Sequence, residues 1–144
     1  MNKNRFVLGA VLFLGVLYYV YALNERTNLH ILEINGEKIG VYVALTDEER
    51  ARGLSGLEAL GVDEGMLFIF EEIGIYHFWM KDMLFPIDII WIDDEFKVSE
   101  IIHNVGPETF PQLFRPQRPI RYVLEVNAGF AEDKQLKPGQ EVNF

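Results

Sequence analysis

The sequence predicts a mainly β domain of the α+β class, folded as a small compact β-barrel with one or two short helices and preceded by an N-terminal transmembrane helix. Three observations predict it: an uncharged apolar run near the N-terminus, period-two alternation of apolar residues along most of the remaining chain, and turn signals between the alternating segments. Many short strands in 144 residues are typical of a barrel. The absence of cysteine excludes a disulfide scaffold and a thiolate metal site.

Residues 6–23 form the apolar run and carry no charge, and Lys3 and Arg5 precede them. As a helix, this segment would rise about 27 Å, close to the roughly 30 Å of a bilayer core. Because positive flanks stay inside, we expect a cytoplasmic N-terminus and an extracytoplasmic domain in a bacterial envelope. The alternative is a signal peptide cut near Val20-Tyr21-Ala22, which would leave a secreted domain.

The chain is expected to have three parts: an anchor or signal segment at 1–23, a short polar tether at 24–28 and a single globular domain at 29–144. Acidic residues number 22 against 13 basic ones, for a formal charge of −9. This sign argues against nucleic acid as a partner.

Two strands, a hairpin turn and a helix are predicted at the start of the domain. The segments 29–34 and 39–45 are apolar or β-branched and flank Asn35-Gly36, a strong hairpin signal. Thr46 and Glu49 have the spacing of a capping box, which predicts a short helix ending at Gly53 or Gly56.

The rest of the domain is predicted to consist of strands, one long loop and a further short helix or turn. A further short helix or turn is expected at 128–136, and the strands are predicted at 66–70, 76–80, 87–93, 97–103, 120–126 and 141–144. Four prolines fall between Asn104 and Pro119, where they predict an irregular loop outside the sheet interior.

Four sequence blocks resemble one known family. They are GMLFIF at 65–70, FWMKDMLFPIDIIWID at 78–93, VLEVNAG at 123–129, and T-x-x-E-R-x-x-G-L at Thr46, Glu49, Arg50, Gly53 and Leu54. The chain is similar through them to domain-of-unknown-function family 192, from about residue 39 to residue 142. The resemblance implies a small mixed barrel, often behind an export or anchor segment, and no known reaction. The chain departs from the usual pattern at Ser55-Gly56 and at Asp82-Met83.

Lys81 and Asp88 interrupt otherwise apolar stretches, and with Arg50 and Glu125 they give two cations and two carboxylates, enough for a neutral cluster. Charges in such surroundings are costly unless they are paired. One interpretation is a neutral salt-bridge network that fixes the helix on the sheet. The other is a pocket in which Asp88 or Glu125 contacts a polar ligand.

Aromatic residues supply the remaining candidates. Phe78 and Trp91 are predicted to pack inside the barrel, whereas Trp79 alternates to the other face and can stack on a ligand. Arg115 and Arg118 lie in the proline-rich loop and could donate to an anionic group.

These features favour a membrane-tethered module that binds a polar small ligand or an envelope protein, with the membrane itself contacted through residues 6–23. The alternative is a small envelope hydrolase, acting on glycans or esters, that uses Asp88 and Glu125 as general acid and base. We predict no cofactor and no metal, because the three histidines show no H-x-x-x-H or H-x-H spacing.

Overall fold

The computed structural model describes residues 29–144. The predicted membrane segment 6–23 and the tether 24–28 lie outside the described residues. Within residues 29–144, no helix is long and apolar enough to cross a membrane.

Seven strands and two short helices form the domain. The strands are β1 (His30–Ile34), β2 (Glu37–Ala44), β3 (Glu64–Gly74), β4 (Ile87–Ile92), β5 (Val98–Val105), β6 (Ile120–Asn127) and β7 (Val142–Asn143). The helices are α1 (Asp47–Arg52) and α2 (Phe130–Asp133), and a 3-10 turn spans Pro107–Thr109.

All seven strands belong to one sheet, in the order β5-β4-β6-β3-β2-β1-β7. Neighbours are antiparallel except β2 and β3, whose parallel pairing requires a crossover, and α1 lies in that connection. The sheet curls into a half-barrel. The prediction of a mainly β domain with short helices is confirmed, and the predicted small compact β-barrel is a half-barrel. Its edges meet where the start of β5 approaches the start of β7: Lys97 and Glu141 form an isolated bridge, and the Val142 amide donates to the Phe96 carbonyl at 2.8 Å.

Apolar side chains cover both faces of the curled sheet. On one face, Leu67, Ile90 and Leu124 pack with Phe130 of α2. On the other, Phe68, Ile89 and Val123 pack with Trp91 and Met80. Alternate residues of β4 and β6 therefore enter two different apolar clusters, as the period of two dictates.

Local signals in the sequence produce the first turn and the first helix. Asn35 and Gly36 have φ values of 53° and 79°, as a two-residue hairpin requires. The Thr46 side chain accepts from the Glu49 amide, and the Glu49 carboxylate accepts from the Thr46 amide, so the predicted capping box is confirmed. The backbone amides of Thr46 and Leu45 both donate to the Glu49 carboxylate and hold its pKa below its usual range. The helix ends at Gly53, one of the two predicted positions.

The segment 76–80 differs from its prediction as a strand. Its contact with neighbouring backbone is a single bridge between Phe78 and Phe114, made by two hydrogen bonds of 2.8 Å. The alternation of aromatic side chains here reflects extended chain lying over the sheet rather than a paired strand, because β6 already occupies the free side of β3.

Candidate functional site

A cleft of about 580 Å³ lies on the Trp91 side of the sheet. Its walls are α1 with the turn that follows, the second half of β3, and residues 76–79, and Met83 and Glu125 complete it. Helix, strand and extended segment are thus brought together by the long-range pairing of Phe78 with Phe114 and by the packing of α1 on β3.

Glu125 is the buried polar residue of this cleft. It lies on β6 between Met66 of β3 and Ile89 of β4, and it is only 5% exposed. Its carboxyl group makes no hydrogen bond or ion pair with any residue that the structure describes. Burial raises its pKa from 4.5 to about 8, and this loss of solvation is the cause of the shift. At neutral pH the group is therefore mainly protonated, and it can both donate and accept a hydrogen bond.

Aromatic rings form much of the wall. Phe70 and Tyr76 stack with centroids 3.6 Å apart. Phe78 meets Phe68 edge-on at 4.9 Å, and it meets Trp91 in the same way at 5.3 Å. Trp91 is fully buried and Phe78 packs against the same cluster, which confirms the prediction that both contribute to the core.

Trp79 lies at the edge of the cleft and is 50% exposed, as its alternation with Phe78 predicts. Phe110 of the proline-rich loop meets its ring edge-on at 6.3 Å. The loop is held there by the pairing of Phe114 with Phe78. Two partly exposed aromatic rings are therefore available beside the cleft.

Arg50 also lines the cleft, and three of its hydrogen bonds are made within the protein. Its guanidinium group donates to the carbonyl oxygens of Leu45 and Ile69, the latter at 2.9 Å, and to the Asp47 carboxylate at 2.6 Å. It also lies over the Phe70 ring, 5.2 Å from the centroid. This arrangement fixes α1 against β3 and gives Arg50 a role in shaping the cleft.

Asp88 lies on the opposite face of the sheet from Glu125. It pairs in register with Val126, whereas Glu125 pairs with Ile89, so the two carboxyl groups point away from each other. Asp88 is fully buried and accepts from the backbone amides of Asn104 and Ala131, each at 2.9 Å. The structure thus does not bring the two carboxylates to one site.

Asp88 has a structural partner in α2. The residue before that helix is Gly129, which has no side chain to cap it, and Ala131 is the second residue of the helix. The Asp88 carboxylate therefore satisfies a helix amide from a neighbouring strand, where negative charge also suits the helix dipole. The His103 Nδ1 atom lies 4.0 Å from the same carboxylate.

The other candidate cations lie outside the cleft wall. Lys81 is exposed, and its backbone carbonyl accepts a 2.8 Å hydrogen bond from the Ser55 hydroxyl. Arg115 and Arg118 lie exposed on the proline-rich loop and are not among the residues that line the cleft. The cluster of four charges considered from the sequence is therefore divided: Arg50 and Glu125 share the cleft, while Lys81 and Asp88 do not line it.

Several cleft residues were not among the sequence candidates. They are Leu54, Ser55, Phe70, Tyr76, His77 and Met83. Ser55 and Met83 come from the two places where the sequence departs from the usual family pattern, and those places are in contact, since the Gly56 amide donates to the Asp82 carbonyl at 2.8 Å. The two departures from the family pattern are the sequence signal that could have indicated the cleft.

Metal binding has no support in the described part of the chain. Residues 29–144 hold no group of three or more His, Asp or Glu side chains arranged to bind an ion.

Two solved structures share this fold. A candidate transcription regulator from Sinorhizobium meliloti 1021 is 27% identical with a TM-score of 0.75, and the match covers 78% of this chain and 91% of that one. A protein of unknown function from Novosphingobium aromaticivorans DSM 12444 is 29% identical with a TM-score of 0.77, and the match covers 81% and 85%. No curated protein matches the sequence.

A family model also matches the sequence, over residues 30–144, and these include every residue that lines the cleft. Its description is that of an uncharacterised ACR, without a reaction. The chain therefore belongs to the DUF192 family.

Proposed function

We propose that the domain is a small-molecule binding module whose ligand occupies the aromatic cleft and hydrogen-bonds to Glu125. The observation that carries this proposal is that the Glu125 carboxyl group is 5% exposed, lines the cleft and has burial alone, with no hydrogen bond or charge of a described residue, as the cause of its raised pKa. Buried polar groups are normally hydrogen-bonded, because leaving one unpaired costs free energy. A ligand that supplies the missing partner would recover that cost.

The size and lining of the cleft support a small ligand rather than a polymer. Its volume of about 580 Å³ lies in the usual range for small-molecule sites. Such sites combine apolar or aromatic walls with a few polar groups, which is the combination of Phe70, Tyr76 and Phe78 with Glu125.

Binding is better supported than hydrolysis by Asp88 and Glu125. A general acid and a general base must reach the same substrate, and these two carboxyl groups face opposite sides of the sheet. A role in binding DNA has equally little support, since the formal charge of −9 opposes contact with phosphates.

Saturation-transfer NMR on the full-length chain tests the binding proposal, with benzylamine, benzyl alcohol, benzamide and benzoate as probes. Ala51 is exposed and lines the cleft, so Ala51→Phe should obstruct the cleft and remove probe binding. Ala59→Phe is the matched control, because Ala59 is exposed outside the cleft. Absence of binding by all four probes, or unchanged binding by Ala51→Phe, would refute the proposal.

We also propose that residues 6–23 anchor the protein in the membrane, with the cleft on the extracytoplasmic side. The apolar run and the preceding Lys3 and Arg5 support this topology. Membrane fractionation followed by N-terminal sequencing tests it. A soluble mature chain that begins near Leu23 would instead indicate a cleaved signal peptide and a secreted domain.

A further inference from the structure

We infer that the ligand of this cleft carries an organic ammonium group, held by the Glu125 carboxylate at the buried end and by the aromatic rings around it. This inference rests on the proposed binding function. It assigns the chemical class of the ligand: a small amine or quaternary ammonium compound with an apolar body.

The aromatic wall is suited to a cation. Ring faces carry partial negative charge and attract ammonium and guanidinium groups. The cleft already contains one such contact, because the Arg50 guanidinium lies over Phe70 at 5.2 Å from the ring centroid. Tyr76, Phe78 and Trp79 provide further rings around the same space.

The charged groups that face the cleft favour a positive ligand. On α1, Asp47 neutralises Arg50 at 2.6 Å, and Arg52 also lines the cleft. From the remaining elements the ionisable side chains are Glu71 and Glu72 of β3, His77, and Glu125 of β6. With the Arg50 and Asp47 pair set aside, Arg52 offsets one of the two exposed carboxylates of β3, and the Glu125 carboxyl adds a further negative charge when a cation beside it favours its ionised form. The acidic charge of the chain as a whole adds a general attraction for cations.

Glu125 makes the inference specific to charge. A neutral ligand would leave the carboxyl protonated, whereas an ammonium group beside it stabilises the carboxylate and lowers its pKa from the raised value of the empty cleft. Binding of a cation at neutral pH must therefore release the Glu125 proton to solvent. No such release accompanies a neutral ligand of the same shape.

Titration calorimetry on the full-length chain tests this difference with two pairs of probes. Choline is compared with 3,3-dimethyl-1-butanol, its neutral carbon analogue, and benzylamine is compared with benzyl alcohol. We expect each cation to bind at least about tenfold more tightly than its neutral analogue, a difference of about 1.4 kcal/mol. Choline has a permanent charge, so proton release measured in buffers of different ionisation enthalpy reports on the protein alone.

Two glutamate variants separate the effect of Glu125 in the cleft from the effect of the overall negative charge of the chain. Glu125→Gln keeps the shape but cannot become an anion, so it should weaken choline binding about tenfold and abolish proton release. Glu58→Gln removes one exposed negative charge outside the cleft and should change neither. An ammonium group can come from a lipid headgroup or from a free amine, and replacing choline with phosphocholine distinguishes these two sources. Equal binding would indicate a lipid headgroup, and weaker binding would indicate a free amine.

The outcomes distinguish failure of this inference from failure of the binding function. Equal binding of the charged and neutral members of both pairs, or choline binding without proton release, would overturn the ammonium inference and leave the site in place. Binding of benzamide or benzoate alone would overturn the inference in the same way. Binding of choline that persists in Ala51→Phe would overturn both the inference and the cleft as the binding site.

Discussion

Asp88 and Glu125 lie one register position apart on the adjacent strands β4 and β6, and their side chains project from opposite faces of the sheet. The Asp88 carboxylate accepts hydrogen bonds from two backbone amides, whereas the Glu125 carboxyl has no hydrogen-bond partner among the described residues. The two buried acids therefore have different roles: one joins elements of the fold, and the other is available to a ligand.

Replacement of Asp88 should destabilise the fold. Asp88→Ala leaves the amides of Asn104 and Ala131 without their acceptor, and the unpaired groups should lower the free energy of unfolding by about 3 kcal/mol. Asp94→Ala, in the exposed turn before β5, is the control and should change it by less than about 0.5 kcal/mol. Urea denaturation measures both. An Asp88→Ala protein as stable as the Asp94→Ala control would contradict the structural role.

Glu125 should make stability depend on pH in a defined direction. Its folded pKa of about 8 lies above the ordinary 4.5, so between these values the folded state binds more protons than the unfolded state. The contribution of Glu125 to stability is then fully present below about pH 4.5 and is lost as the pH rises toward 8. The loss is roughly 5 kcal/mol at most, since each pKa unit corresponds to about 1.4 kcal/mol.

Glu125→Gln isolates this contribution from those of other titrating groups. Because glutamine does not ionise, the difference in unfolding free energy between the wild-type protein and this variant should change across the window, with the variant favoured at the alkaline end. Urea denaturation at several pH values measures the difference. A constant difference over this range would show that burial does not shift the Glu125 pKa.

Arg50 should stabilise the packing of α1 on β3 through its planar group. Arg50→Lys keeps the charge but cannot reach the Leu45 and Ile69 carbonyl oxygens and Asp47 together, so it should cost about 1 to 2 kcal/mol. Arg118→Lys is the matched control on the exposed loop and should be neutral. Thermal unfolding of the two variants provides the comparison, and equal melting temperatures would argue against the anchoring role.

Local signals predicted the parts of the fold that depend on neighbours in sequence. Asn35-Gly36 marked the first hairpin, and Thr46 with Glu49 marked the start of α1. The extended segment around Phe78 looked like a strand because alternation is common to paired and unpaired extended chain. Only the long-range arrangement, in which β6 pairs with β3, decides between them.

The candidate site was predicted only in part, because the long-range pairing of the strands also decides which side chains share a face. Arg50 and Glu125 were identified as members of a cluster of charges and Trp79 as an exposed aromatic residue, and all three line the cleft. The alternation within β4 and β6 indicates that Asp88 and Glu125 each have a defined face. Whether the two side chains lie on the same face depends on the register of the strands, because a shift of one residue moves every side chain of a strand to the opposite face.

The proline-rich loop should contribute to the core through Phe114 and to the surface beside the cleft through Phe110. Phe114 is half-buried against the Trp91 cluster, so Phe114→Ser should cost about 2 kcal/mol or more. Phe110 is 45% exposed and meets Trp79 edge-on, so Phe110→Ser should cost about 1 kcal/mol or less. Leu113→Ser, at an exposed position in the same loop, is the control for added polarity.

Tryptophan fluorescence separates these two effects. Trp91 is fully buried and Trp79 is half-exposed, so loss of the Phe110 ring should shift the emission of the folded protein toward that of solvated indole. Leu113→Ser should leave the emission unchanged, because leucine has no ring to stack on Trp79. If Phe110→Ser leaves both stability and emission unchanged, the loop does not cover Trp79. If Phe114→Ser is as mild as Leu113→Ser, the pairing of Phe114 with Phe78 does not hold the loop on the core.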